Sequence, residues 1–123
     1  ELPEERLPQD PSPAQISAAL EKEGKAILAR LPKNALLTAM CVEGKLLSSE
    51  ALSAQMDQWA GGGKSNLAFV IGGSFGLHPS VKQQAALRLS MSPMTFPHHL
   101  ARVMLLEQIY RCFKIVEGSG YHK

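Results

Sequence analysis

Apolar residues along the chain cluster in segments whose spacing alternates between helical and extended. Ile16, Leu20, Ile27, Leu28 and Leu31 recur at near-helical spacing. Ser12 and Pro13 supply an N-cap and a first helical residue, and Pro32 ends the pattern. Residues 35–42 (ALLTAMCV) form a continuous apolar run with little alternation, which predicts a parallel strand covered on both faces. Glu43-Gly44-Lys45 is expected to turn the chain. Ser49 is expected to cap a second helix, which ends at Gly61-Gly62-Gly63. Residues 67–71 (LAFVI) predict a second buried strand, followed by a loop over residues 72–76 and a helix from about His78-Pro79 to Ala86. Residues 87–91 predict a third short strand, and residues 92–97 a loop stiffened by two prolines. The last helix runs from about His98 to Glu117, with His98 or His99 expected to cap it. A Gly-rich tail, GSGYHK, closes the chain.

Strands alternating with helices imply an α/β fold: a mostly parallel sheet, right-handed crossovers and helices on both faces. Ligands bind such sheets at the carboxyl ends of the strands. Residues 72–76 and 92–97 both fall there and are expected to form two walls of one cofactor pocket. The whole chain, 1–123, reads as a single domain in which residues 1–13 are a Pro-rich exposed loop and residues 67–123 carry the pocket. Three clear strands are few for a self-sufficient sheet. Glu1-Leu2-Pro3 is therefore expected to be the end of a fourth, with the chain starting partway through its domain.

The last helix carries Leu100, Val103, Met104, Leu106, Ile109, Tyr110, Phe113 and Val116, a wider apolar surface than one stripe. Such a helix is expected to bury one side on its own sheet and another on a second subunit. At 45% hydrophobic and 20% charged residues, the 123-residue chain has the composition of a globular domain rather than a disordered one. No apolar run approaches the ~20 residues needed to cross a bilayer. The acidic, Pro-rich beginning resembles neither a signal nor a transit peptide. Cys41 and Cys112 share no ligand spacing and read as buried free thiols, consistent with a reducing cytoplasm. Adjacent His98 and His99 point about 100° apart on a helix, so no metal site is expected.

Charge sharpens the division of the chain. Residues 1–61 hold six Lys/Arg against nine Asp/Glu. Residues 62–123 hold seven Lys/Arg against only Glu107 and Glu117, together with all four histidines. A basic half suits a phosphate-bearing partner.

The motifs are ambiguous when taken singly. Gly72-Gly73-Ser74-Phe75-Gly76 matches G-x-S-x-G between a strand and a helix, the setting of a hydrolase nucleophile elbow. No Asp follows Ser74, and the acid would have to be Glu107 or Glu117 on the last helix. The same glycines have neither dinucleotide-fingerprint nor P-loop spacing. They do permit close backbone approach to a ligand, or simply a tight turn. Ser92-Pro93-Met94-Thr95-Phe96-Pro97 is either a rigid connector or a wall of exposed amides able to read a flat base edge. A serine hydrolase using Ser74 and an RNA-binding module without catalysis therefore remain alternatives to a cofactor enzyme.

Four blocks taken in order are more specific. F-V-I-G-G-S-F-G-L-H, L-S-M-S-P-M-T-F-P-H-H, R-V-M-L-L-E-Q-I-Y-R and the terminal Y-H-K resemble the SPOUT-class methyltransferases that modify N3 of pseudouridine in large-subunit ribosomal RNA. The likeness extends back through E-G-K-x-L-S-S-E to about Glu1. The resemblance implies a C-terminal trefoil knot within residues 67–123, a homodimer through the last helix, and S-adenosyl-L-methionine as methyl donor. It implies a substrate in intersubunit helix 69 of the assembled ribosome. It also implies cofactor contacts, largely through backbone groups, at Met40, Gly72, Met91, Ser92, Pro93, Met94, Thr95 and Phe96. Arg102, Tyr121 and His122 are implied to face the RNA base, with His122 as the candidate base for the N3 proton. The pocket is expected to hold no acidic residue to pair with the cofactor ribose. The family pattern further implies a strand-helix unit ahead of the segment that matches Glu1.

Overall fold

The computed structural model describes residues 2–64 and 66–123. The elements run α1 (Pro13–Arg30), β1 (Leu36–Leu46), α2 (Ser49–Gly61), β2 (Leu67–Ile71), α3 (Pro79–Gln84), β3 (Leu87–Ser90) and α4 (His98–Val116). The three strands form one parallel sheet in the order β2-β1-β3. The chain therefore leaves β1 for one edge and then crosses to the other, making β1 the central strand. Leu2 and Pro3 belong to no strand, and Glu1 lies outside the described residues.

Both faces of the sheet are covered, which explains why β1 lacks alternation. Leu37 and Ala39 of β1 bury with Leu77 and Val81, and Ile27, Leu28 and Leu31 of α1 pack against them. On the opposite face Leu52 and Met56 of α2, Leu89 of β3 and Cys112 of α4 form a second cluster, which Met40 and Phe69 join. Successive side chains on a strand point to opposite faces, so an unbroken apolar run serves two helical layers at once. Cys112 is buried and Cys41 half-buried, and both are free thiols. No helix is long and apolar enough to cross a membrane among the described residues.

Three local expectations are corrected. Glu43-Gly44-Lys45 is not a turn, because β1 continues to Leu46. Met40 and Lys45 both stand opposite Leu89, so residues 41–44 bulge out and the strand resumes its pairing beyond them. Gly44 permits the return, since a Cβ there would lie 2.8 Å from the Leu89 carbonyl carbon. The cap of α2 is Ser48, whose hydroxyl accepts from the Ala51 N–H at 3.0 Å. Ser49 is already inside the helix, and its hydroxyl donates to Gln108 Oε1 of α4 at 2.6 Å. Neither His98 nor His99 caps α4: Pro97 holds the N-cap position, with no side-chain cap bond. Both imidazoles fall in the first helical turn, with ring centroids 4.1 Å apart.

The expected exposed loop before α1 has neither helix nor strand. Its Glu5 N–H donates to Glu23 of α1 at 2.7 Å, and the Glu4 carboxylate reaches the loop after β2. The expected start of α1 is as built, with a reciprocal capping box between Ser12 and Gln15.

Candidate functional site

Register on the central strand assembles the site. Met40 pairs with Ile71 on one side and with Leu89 on the other. Ile71 immediately precedes Gly72, and Leu89 lies two residues before Met91. The two loops therefore leave the sheet on either side of Met40, at the carboxyl ends of their strands. Between them lies a cavity of about 760 Å³, within the usual range for small-molecule sites. Met40, Gly72, Met91, Ser92, Met94, Thr95 and Phe96 all line it. Pro93 is exposed and does not.

The first loop is a tight turn. The Gly76 N–H donates to the Gly73 carbonyl at 3.1 Å, and Gly76 adopts φ +85°. Gly72 passes so close to this turn that a Cβ would sit 2.6 Å from the Gly76 carbonyl. Glu4 closes the outer side by accepting from the Ser74 N–H at 3.0 Å. That bond holds the Glu4 carboxyl below its ordinary value, with lesser help from the Ser74 hydroxyl and His98. The Ser74 side chain thus meets a carboxylate, and among the described residues no imidazole shares a hydrogen bond with it. This is not the arrangement of an activated serine.

The second loop is shaped by serines. Ser90 Oγ donates to the Ser92 carbonyl at 3.0 Å and accepts from the Ser92 N–H at 3.2 Å. Ser92 Oγ in turn accepts from the Met94 N–H at 3.0 Å. These local bonds fix the backbone between β3 and α4 without any regular structure.

The bulge in β1 adds residues that sequence reasoning missed. Cys41, Val42 and Glu43 line the cavity, and so does Lys82 of α3, which is ion-paired with Glu43. Lys82 holds the Glu43 carboxyl below its ordinary value. The cavity therefore does carry an acidic side chain, contrary to expectation. Burial, and next the Glu43 carboxylate, push the Cys41 thiol above its ordinary value. His98 and Ala101, from the start of α4, complete this wall.

Arg102 is placed differently. It lines a neighbouring cavity of about 830 Å³ between α1 and α4 at the β2 edge. That cavity shares Ile71, Gly72, Gly73, Gly76, Leu77 and His98 with the first, but none of residues 91–96. Arg102 thus shares a cavity with the glycine loop and not with residues 91–96.

The tail lies elsewhere again, lining neither cavity. Tyr121 Oη donates to Glu107 Oε2 at 2.9 Å, and its ring meets Tyr110 edge-on at 5.1 Å. The Arg111 guanidinium lies 4.9 Å from the same ring centroid. His122 Nδ1 is 3.0 Å from Arg111 Nη1, and Nε2 is 2.5 Å from Glu50 Oε1. A guanidinium only donates, so Nδ1 accepts and the Nε2–H faces the carboxylate. Both ring nitrogens are engaged in this position.

On α4, Leu100, Val103, Leu106, Tyr110, Phe113 and Val116 are exposed, each three or four residues from the last. Leu100, Val103, Leu106, Tyr110 and Phe113 form one apolar stripe turned away from the buried Leu105 and Cys112, and Val116 is exposed at the end of the helix. The docked Tyr121 borders this stripe at Tyr110.

The chain thus combines a parallel sheet, a cavity between two loops at its carboxyl edge and an unusually apolar final helix. A family model described as a predicted SPOUT methyltransferase matches residues 2–122, nearly the whole length. The chain accordingly belongs to the SPOUT methyltransferase family.

Proposed function

We propose that this protein transfers a methyl group from S-adenosylmethionine to N3 of a pseudouridine in large-subunit ribosomal RNA, in helix 69 of the assembled ribosome. The observation that carries the reading is the register at Met40. It places the glycine loop and the proline loop on opposite walls of one cavity of cofactor size. The cavity residues suit the cofactor. Met40, Ile71, Leu77, Leu89 and Met91 offer apolar contact for a purine and a thioether. Gly72 leaves the backbone bare, where any side chain would collide with Gly76.

When bound, S-adenosylmethionine supplies a sulfonium-activated methyl group, so the chain has to orient, desolvate and remove a proton. Gly72, Met91, Ser92, Met94, Thr95 and Phe96 would hold the donor between two loops fixed by their own hydrogen bonds. Arg102, adjoining the glycine loop, positions the RNA base. With the donor bound, transfer would form the N3–methyl bond as the sulfur–methyl bond breaks and S-adenosylhomocysteine leaves; His122 would accept the N3 proton and Tyr121 would fix the imidazole's approach.

This division of labour requires two subunits. Within one chain, Tyr121 and His122 are held on α2 and α4, away from the cavity. The exposed stripe of α4 is the dimer surface in this reading, and the tail lies along its margin. Pairing two stripes brings each tail to the partner's cavity, where His122 exchanges Glu50 and Arg111 for the substrate. The trefoil knot of the C-terminal region and a cytoplasmic location belong to the same reading.

The test has two stages. Calorimetry should detect micromolar binding of S-adenosylhomocysteine. Ribosomes lacking the modification should then accept tritium from methyl-labelled S-adenosylmethionine, at a pseudouridine and only after isomerisation of the uridine. Binding without transfer to any ribosomal RNA would leave a methyltransferase with another substrate. Salt-sensitive RNA binding with no cofactor heat would favour a simple RNA-binding module.

A further inference from the structure

Glu43, Lys82, His98 and the Cys41 thiol are the charged or titratable side chains lining the cavity between the two loops, among the described residues, and of these only Glu43 and Lys82 form an ion pair with each other. Glu43 and Lys82 are far apart in sequence yet form an ion pair at the rim. The bulge at residues 41–44 is what carries Glu43 out of the strand toward α3. The Lys82 side chain is 25% exposed and that of Glu43 61%, so the stem of Lys82 is packed while both charges reach solvent. Deeper in, Met40, Ile71, Leu89 and Met91 carry no charge.

We propose that the Glu43–Lys82 pair reads the amino-acid end of S-adenosylmethionine, Lys82 meeting its α-carboxylate and Glu43 its α-ammonium. The inference rests on the cofactor reading above and assigns that cofactor's orientation: adenine between the loops, amino-acid end toward α3. A lone carboxylate would suit the two ribose hydroxyls, but Glu43 is already bonded to Lys82. An ion pair instead presents one charge of each sign side by side. A zwitterion meets it with each charge opposed and no net charge introduced. Charge-assisted hydrogen bonds of this kind are stronger than neutral ones and remain so at a half-screened rim. His98, from the first turn of α4, takes no part in this ion pair.

The test compares two ligands that differ at that end. S-Adenosylhomocysteine carries the amino-acid group, and 5′-methylthioadenosine lacks it. Calorimetry on the whole chain should show about tenfold tighter binding of the former. Glu43→Gln and Lys82→Met should each weaken S-adenosylhomocysteine several-fold and leave 5′-methylthioadenosine unchanged. Lys82→Arg should keep the preference, and circular dichroism should show all variants folded. Equal affinity of the unaltered protein for both ligands would overturn the proposal. So would a Glu43→Gln variant that weakens both ligands equally, which would move Glu43 to the ribose. Failure of both ligands to bind the unaltered protein would overturn the cofactor reading itself.

Discussion

Glu4 and Ser74 lie 70 residues apart, and the Glu4 carboxylate accepts the Ser74 backbone N–H at 3.0 Å. The segment before α1 thus latches the tip of the glycine loop. A Cβ on Gly73 would come within 2.6 Å of the same carboxylate, so a side chain there would push the Glu4 carboxylate aside.

The latch has a pH signature. The Glu4 carboxyl is held below its ordinary value of 4.5, chiefly by the Ser74 N–H. Its contribution is complete above pH 4.5 and is lost as pH falls through the lowered folded value. The Ser74 amide resonance should therefore titrate with a midpoint below 4.5. Glu4→Gln should abolish that titration, and a Ser74 amide that still titrates in the variant would disprove the latch.

Gly72 is the sharpest steric prediction. Gly72→Ala drives a methyl into the Gly76 carbonyl and should destabilise the protein by about 1–3 kcal/mol, read from urea denaturation. Cofactor affinity should fall with it, because the turn forms one wall of the cavity. Gly61→Ala, with no atom within 4 Å of the new methyl, should cost nothing.

The α4 stripe should set the oligomeric state. Val103 and Leu106 are 63% and 58% exposed in the single chain. Light scattering should find a dimer for the unaltered protein, and a folded monomer for Val103→Glu with Leu106→Glu. A monomeric unaltered protein would leave the stripe without its second subunit.

Subunit mixing tests where the tail works. Arg102→Ala and His122→Ala should each abolish most turnover as homodimers. If the tail crosses the interface, a mixed dimer has one intact site, with Arg102 from one subunit and His122 from the other. Random exchange should then restore about a quarter of the original activity. No recovery in confirmed mixed dimers would place both residues in one chain's site. If His122→Ala alone keeps full turnover, His122 is demoted to positioning.

Much of the fold was legible because strands and helices write their burial into local periodicity. The run at residues 35–42 announced a strand with two covered faces, and Leu37 and Ala39 do bury opposite Met40. The excess of apolar residues on α4 announced a second, exposed surface. Both loops were visible as Gly and Pro interruptions after apolar runs. The misplaced details are those where two adjacent residues satisfy the same local rule. Ser48 and Ser49 are both good caps, and the bond from Ser49 to Gln108 on a distant helix assigns the role to Ser48.

The sequence by itself determined the alternation of elements, the parallel sheet and the family, because these depend on residues close in the chain or on motifs in order. Tertiary structure decided which side chains meet. Glu43 read as a turn residue until a bulge brought it to Lys82 beside Met40. Tyr121 and His122 read as neighbours of the pocket until their bonds to Glu107, Arg111 and Glu50 held them on another face. Such meetings depend on strand register and on how helices pack across a sheet, which no local spacing encodes.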